Sequence, residues 1–523
     1  MRIISTYSGH ESNISFYDNG KITVVELDKL MGEKYFSMQA TSTVEKAEIL
    51  ERAMDVAGIE NDFDMWVNGS YHGKRNGILD YLKLENIINT KRMVYGPGHH
   101  TCHAHSAYWQ SPFDKAYLIS SDGGGNDGYF NIYYCDKVHG PTPTEQIDRF
   151  DFGTFYAIIA GMLPQVGKSS TWLFDTPGKA MALAGQLDGV ASEELKAALH
   201  QIYSGSQNAW EALGKITGLN MHETYNTNLK ASKGTGKFNY FQDQRLGLKV
   251  AKANQKVLEE KFEAILTDRQ YNVGLYDDNL ILTGGVALNI MNNENVKSTY
   301  KLNTFVPPNP TDGGLSLGGL FWYMHLVGIP VPDQDYKFCG TPLIENKKLK
   351  KKRKSSIKAL AKMIKDGAIL GIVEGQSEIG PRALGRRSII CDPSNKDVVE
   401  RLNKDIKHRE WYRPFAPIML EDQLEHIETH NSSDLTKMSY ATKVSIQFER
   451  LYPAVVHVDG TARVQVCTDK DSTVYKLLKE IGTPLLNTSF NDNGNPIVSN
   501  TEDAYKMLPS LDGIVINGVL IKE

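Results

Sequence analysis

Apolar residues alternating with period two, and the tight-turn residues between them, constrain this chain more than any other feature. At the amino terminus Ile3-Ile4, then Ile14 and Phe16, then Ile22, Val24 and Val25 form short runs, with Asp18-Asn19-Gly20 between the last two. Such runs need a sheet with a buried face, and Asn-Gly supplies the positive φ that a two-residue hairpin requires. The pattern returns at Ala116-Tyr117-Leu118-Ile119-Ser120 and Tyr129-Phe130-Asn131-Ile132-Tyr133-Tyr134, joined by an expected loop, Asp122-Gly123-Gly124-Gly125-Asn126-Asp127-Gly128. Asn279-Leu280-Ile281-Leu282-Thr283 reads as a buried strand that enters Gly284-Gly285. Helical periodicity fills much of 190–215 and 246–267, the latter through Val250, Ala253, Val257, Leu258, Phe262 and Ile265. Strands and helices mixed in this order define an α/β fold.

The chain has 523 residues, enough for several domains and a sizeable core. Apolar residues at 41% and charged residues at 23% exclude a largely disordered chain. The 58 basic and 62 acidic side chains leave a net charge of -4, which excludes a global basic field but not a local cationic groove. Cys102, Cys135, Cys339, Cys391 and Cys467 are scattered without a CxxC pair and read as reduced thiols of a cytoplasmic protein. The first residues lack the long apolar stretch of a signal peptide.

Residues 313–332 are uncharged and long enough to span a bilayer, but their glycines, Ser316, His325 and Pro330 favour a buried helix, so no membrane association is expected. Lys347, Lys348, Lys350, Lys351, Lys352, Arg353 and Lys354 form a basic run that reads as a solvated linker and only weakly supports a nucleic-acid partner. The domain boundary is placed there, giving 1–345 and 346–523, with Ser356 expected to cap the next helix.

Three groups of motifs carry chemistry. In Gly98-His99-His100-Thr101-Cys102-His103-Ala104-His105, His99 and His103 are four residues apart, so a helix projects both imidazoles from one face. That pair suits a divalent metal, and Asp312, ahead of an apolar helix, is the candidate third ligand; the competing reading is a histidine-rich surface turn. Asp122-Gly123-Gly124-Gly125 and Thr283-Gly284-Gly285-Val286-Ala287-Leu288-Asn289 are glycine loops that let backbone N–H groups approach a phosphate. Neither is a P-loop. On this strand order they suggest an actin-like nucleotide cleft. The third group embeds cations among Gly, Pro and Phe: 374–388, with Gly380-Pro381-Arg382-Ala383-Leu384-Gly385; 403–417, with Lys407 and Arg413-Pro414-Phe415; Asp459-Gly460-Thr461-Ala462-Arg463; and Leu486-Asn487-Thr488-Ser489-Phe490-Asn491. Surface charge explains a single segment but poorly explains arginines embedded among Gly, Pro and Phe; a phosphate-rich pocket fits the four together.

Taken in order, these segments resemble the O-carbamoyltransferase family of the NodU, CmcH and TobZ type, over nearly the whole chain from Gly9-His10 to Asn491. The resemblance implies an amino-terminal duplicated actin-like domain and a carboxy-terminal YrdC-like domain. It implies that the latter makes carbamoyladenylate from carbamoyl phosphate and ATP, with Mg2+, and that the former transfers the carbamoyl group to an acceptor hydroxyl. By resemblance His99, His103 and Asp312 hold a divalent metal, iron in the family. Arg382, Lys407, Arg413, Arg463, Asn487 and Ser489 then bind carbamoyl phosphate and ATP, with Arg382 and Lys407 also catalytic. Asp122, Gly123, Gly284, Gly285 and Asn289 receive the adenylate, and His10 stands at the acceptor as a general base. A homodimer is unsurprising for the family.

There are departures. The family's His-Asp-x-Ser is His10-Glu11-Ser12-Asn13 here, and its Glu-Glu-Arg with a following lysine becomes Glu26-Leu27-Asp28-Lys29 with Lys34 beyond. The Thr176-Pro177-Gly178-Lys179-Ala180-Met181 segment resembles the family's Gly-Lys-x-Met without a defined role. The acceptor is open between a sugar or natural product and a hydroxymethyl pyrimidine, free or in DNA. The alternative activities are a tRNA threonylcarbamoyl transferase and a non-catalytic nucleotide-binding protein of actin-like fold.

Overall fold

The computed structural model describes the chain except residues 70–83, 149, 269–277, 346–354, 429–431 and 523. The basic run and the boundary expected there lie outside the described residues.

The amino-terminal alternation folds as expected into β1 (Arg2–Tyr7), β2 (Asn13–Asp18) and β3 (Lys21–Glu26), an antiparallel meander. The turn between β2 and β3 places Asn19 at φ 47° and Gly20 at φ 91°, as a primed hairpin turn demands. Strands β4 (Met65–Asn68) and β5 (Met93–Tyr95) add in parallel on the other side of β1, giving the order β3-β2-β1-β4-β5. The second alternation repeats this plan. Strands β6 (Lys115–Gly125), β7 (Gly128–Asp136) and β8 (Gly140–Ile147) form the meander, and β9 (Asn279–Thr283) and β10 (Asn303–Phe305) join in parallel beside β6. The order β8-β7-β6-β9-β10 matches the first sheet strand for strand, so the duplicated actin-like expectation is met.

One expectation is corrected. Asp122-Gly123-Gly124-Gly125 is not a free loop but the irregular end of β6, with a register shift between Ser121 and Gly125 and the reversal at Asn126-Asp127. Glycines read as turn residues can equally mark a bulge.

The helices that matter for the site are α1 (His99–Gln110), α2 (Phe152–Gly161), α3 (Thr176–Ala184), α4 (Gln244–Thr267) and α5 (Leu315–Leu326). Residues 190–215 hold two helices, Glu193–Tyr203 and Gln207–Thr217. The uncharged 313–332 stretch contains the twelve-residue α5, buried between the first sheet and α1. Leu317, Leu320 and Phe321 pack against Ile3, Val24 and Val67, roughly 2 kcal/mol each for full burial. Its glycines allow the other face to approach α1, because a Cβ on Gly318 would lie 1.9 Å from the Cys102 carbonyl oxygen. Among the described residues no helix is long and apolar enough to cross a membrane.

Ser356 caps α6 (Ile357–Lys365), its hydroxyl accepting from the Ala359 N–H at 3.2 Å. Beyond it lies a seven-stranded mixed sheet. Its strands are β11 (Leu370–Val373), β12 (Arg387–Cys391), β13 (Ala416–Met419), β16 (Gln465–Val466), β17 (Leu485–Ser489), β18 (Gly513–Ile516) and β19 (Val519–Ile521). Their order is β16-β13-β17-β12-β11-β18-β19, and a small ribbon pairs β14 (Thr442–Lys443) with β15 (Thr461–Ala462). One apolar cluster runs from Ile119, Phe152 and Leu258 to Ile389, Phe415 and Ile514, so this α/β unit shares a continuous core with the second amino-terminal half.

Candidate active site

The start of α1 is built by the β6–β7 turn. Asn126 accepts from the His99 N–H and Asp127 from the His100 and Thr101 N–H groups at 2.8–3.2 Å, satisfying donors that a helix start leaves open. The four histidines of the segment then separate by face. His100 bonds Ser120 and the Gly128 carbonyl, and burial with the neighbouring histidines pulls it down to about 4. His105, packed by Trp109 and His325, is pulled down to about 3, chiefly by burial. His99 and His103 face the other way, with their Nε2 atoms 3.2 Å apart.

Asp312 and Asp122 meet them. His99 Nε2 is 3.4 Å and His103 Nε2 3.5 Å from Asp312 Oδ1, and His103 Nε2 is 3.1 Å from Asp122 Oδ2. One atom from each of the four residues falls within a 4.8 Å span. Asp122, read in the sequence as adenylate-binding, thus joins the metal-type group; it also accepts from the Gly285 N–H at 2.9 Å, tying both glycine segments to it. Burial works against both carboxylates, yet the imidazoles hold Asp122 and Asp312 well below the ordinary carboxylate range. Burial pulls His103 down, but the two carboxylates outweigh it and lift it to about 9. Two imidazole nitrogens and two carboxylate oxygens that converge, all from buried residues except the half-buried Asp122, are the donor chemistry of a divalent transition metal.

On the cavity side, Asp312 Oδ2 accepts from the Tyr7 hydroxyl at 2.5 Å and stands 3.2 Å from His10 Nε2. The His10 ring stacks on Phe174 with centroids 4.7 Å apart and planes 5° from parallel. Asn13 fixes the turn that carries Asp312, donating to its carbonyl at 2.8 Å and accepting from Ser316 N–H at 2.9 Å. Glu11, the longer carboxylate of the departing motif, is pushed up to about 7, chiefly by burial. The two lysines whose roles the sequence leaves open are both engaged. Lys29 pairs with Glu26 and donates to the Glu378 and Gly380 carbonyls at 3.0 and 2.8 Å. Lys34 pairs with Asp175.

From His10, Asp122 and Asp312 a continuous cavity of about 730 Å³ runs to Arg382, Arg409, Arg413 and Arg463, passing Gly123, Gly285 and Asn289 and reaching Ser489. Asn289 meanwhile caps the helix after its loop and pairs with Gln255. Arg382 donates to the Leu288 carbonyl at 3.5 Å, and Arg409 donates to Asn403 at 2.8 Å and covers the Phe415 ring. Arg413 stands 3.6 Å from Glu410, which among the described residues is the only carboxylate within 4 Å of these four. Burial and Arg413 pull Arg382 down to about 10, and Arg463 is lowered well below its ordinary value by burial and the other three. The cluster is therefore short of negative charge.

Not every expected residue reaches the cavity. Lys407 is buried behind it, donating to the Ser489 and Asn491 carbonyls at 2.6 Å. Asn487 donates to Ala383 and Gln465 inside the sheet and holds the Arg382 loop rather than facing the space. Gly284, at φ 83°, lets β9 pass the Ser121 carbonyl, which a Cβ would approach to 2.2 Å. Residues that sequence reasoning missed include Tyr7 and Phe174, which carry no motif, and Arg409, which stands inside a quoted segment.

A duplicated actin-like body fused to a seven-stranded α/β unit, with a histidine–aspartate group and an arginine cluster on one cavity, defines a two-body protein with a metal-type site and a cationic site on one space. The family description Carbamoyltransferase N-terminus matches residues 7–320, and Carbamoyltransferase C-terminus matches residues 361–523. The chain belongs to the carbamoyltransferase family. Nodulation protein NolNO of Sinorhizobium fredii is 30% identical over 454 residues, 81% of this chain and 63% of that protein, so the match spans just under two thirds of that relative. Nodulation protein NolO of Bradyrhizobium diazoefficiens is 30% identical over 459 residues, 81% of this chain and 78% of that protein. Among solved structures, the crystal structure of full-length HypF in the phosphate- and nucleotide-bound form covers 63% of this chain and 47% of its own. Its identity is 14% and its TM-score 0.34, too low to carry weight.

Proposed function

We propose that this chain is an ATP-dependent O-carbamoyltransferase acting in the cytoplasm, with residues 346–523 forming carbamoyladenylate and residues 1–345 transferring the carbamoyl group to an acceptor hydroxyl. The observation that carries this reading is the single cavity joining an arginine cluster short of anions to the His10 and Asp312 site. Arg382, Arg409, Arg413 and Arg463 supply forked donors suited to the phosphates of carbamoyl phosphate and of ATP with Mg2+. Water cleaves carbamoyl phosphate to carbamate and inorganic phosphate. A carbamate oxygen then attacks the α-phosphorus of ATP, pyrophosphate leaves, and carbamoyladenylate forms. The acceptor oxygen attacks the carbamoyl carbon, its proton passes to His10, and AMP leaves.

His99, His103 and Asp312, with Asp122 beside them, are the residues that would hold a divalent metal, which the family resemblance makes iron. When bound, such a metal supplies a Lewis acid for a phosphate oxygen. All five cysteines are buried free thiols, which suits a reducing compartment. The decisive measurement is inorganic phosphate released from carbamoyl phosphate in the presence of ATP. Arg382→Ala should lower it by about a hundredfold, the scale of one lost transition-state donor; equal release by variant and wild type would remove the arginine cluster from the chemistry.

A further inference from the structure

Lys179 on α3 takes no part in the steps above, yet its side chain is only 6% exposed. Its Nζ donates to Glu410 Oε1 at 2.7 Å and to the Ser169 carbonyl at 2.6 Å. Glu410 belongs to the loop that carries Arg409 and Arg413, and its second oxygen, Oε2, stands 3.6 Å from Arg413 Nη1. The same loop is tied to the amino-terminal body by the Tyr412 hydroxyl, which donates to the Gln165 carbonyl at 3.2 Å. Glu410 is thus shared between a lysine of one body and an arginine of the phosphate-facing cluster. Burial pushes Glu410 up, but Lys179, with Ser169 and Arg413 adding to it, holds the carboxyl at about 2.

We propose that Lys179 is a positioning residue: it neutralises Glu410 and so keeps Arg413 available for a phosphate-bearing substrate. The inference rests on the reading of the arginine cluster as a phosphate site. A guanidinium prefers a two-point contact with a carboxylate. Without Lys179, Glu410 would turn its full charge on Arg413, and an incoming phosphate would compete with an internal anion for the same fork. The Gly-Lys-x-Met segment would then act on the other body through Glu410, although Lys179 itself does not line the cavity.

The test is calorimetric binding of carbamoyl phosphate to the full chain. Lys179→Met should weaken binding by about tenfold, the scale of one charge-assisted contact. The double variant Lys179→Met with Glu410→Gln should recover to within about threefold of wild type, because the competing carboxylate is gone. Unchanged binding in Lys179→Met, or a double variant as weak as the single, overturns the inference, since a packing role would not be rescued by removing a charge. If Lys179→Met does not fold, Glu410→Gln alone decides: binding at least as tight as wild type supports the inference and weaker binding overturns it. Wild type that fails to bind carbamoyl phosphate at all would instead remove the phosphate reading of the cluster, and the inference with it.

Discussion

Asp312 serves five neighbours at once. One carboxylate oxygen faces His99 and His103, the other accepts from Tyr7 and stands beside His10, and its backbone carbonyl is held by Asn13. Asp312→Asn keeps the shape and removes the charge. We expect metal content after purification, read by elemental analysis, to fall by at least about tenfold, with the fold retained; a full complement of metal in the variant would take Asp312 out of the ligand set. His99 and His103 were legible in the sequence because a helix turns a four-residue spacing into a shared face. Tyr7 was not legible, because its bond to Asp312 spans 305 residues and exists only once β1 and α5 pack together. Arg382, Arg413 and Arg463 were legible from their company of glycine, proline and phenylalanine, whereas the burial of Lys407 and Asn487 behind the cavity wall depends on the sheet around them.

Among the elements, the contact of α1 with α5 sets the height of His99 and His103 over Asp312. It depends on Gly318, where a side chain would strike the Cys102 carbonyl of α1. Gly318→Ala should cost about 1–3 kcal/mol by overpacking, lowering the melting temperature by a few degrees. Metal retention should fall with it, because the backbone cannot yield without moving the histidines. A variant with unchanged melting and full metal would show that α1 and α5 are not held at this distance. The first meander, β6, β7 and β9 could be read from alternation and turn residues, whereas β8, Gly140-Pro141-Thr142-Pro143-Thr144-Glu145-Gln146-Ile147, shows no such alternation. The parallel additions of β4, β5 and β10 could not, since their partners are remote in sequence and their runs are only three or four residues long. The Asp122–Gly125 segment was misread as a loop for a related reason: only pairing to β7 shows that it continues a strand.

At the scale of the molecule, Glu26 and Lys29 form a buried pair at the seam between the two bodies, with Glu26 also accepting from the Gly380 N–H at 2.9 Å and from Asn309 at 3.1 Å. Burial pushes Glu26 up to about 7, with Lys29 opposing and Asp28 reinforcing. A carboxyl raised in the folded state holds its proton where the unfolded chain has lost it. Its stabilising contribution is therefore complete below the unfolded value of about 4.5 and fades as pH rises through 7, by at most about 3 kcal/mol. Denaturant unfolding of wild type and Glu26→Gln should show wild type losing ground to the variant between pH 5 and pH 8. Curves that stay parallel over that range would show that Glu26 titrates as an ordinary carboxyl. The seam was not legible in the sequence, because its groups come from segments more than 350 residues apart.

The shared cavity also bears on stoichiometry. On the proposed chemistry, an activated carbamoyl group made beside the arginines reaches His10 through the same cavity of about 730 Å³. AMP released per carbamate ester formed should then stay near one, even with excess hydroxylamine in solution, and little hydroxyurea should accumulate. Hydroxyurea rising in proportion to added hydroxylamine would mean that the two ends exchange freely with solvent. On that reading, the ATP spent on each product follows from how well the interior holds the activated group until the acceptor takes it.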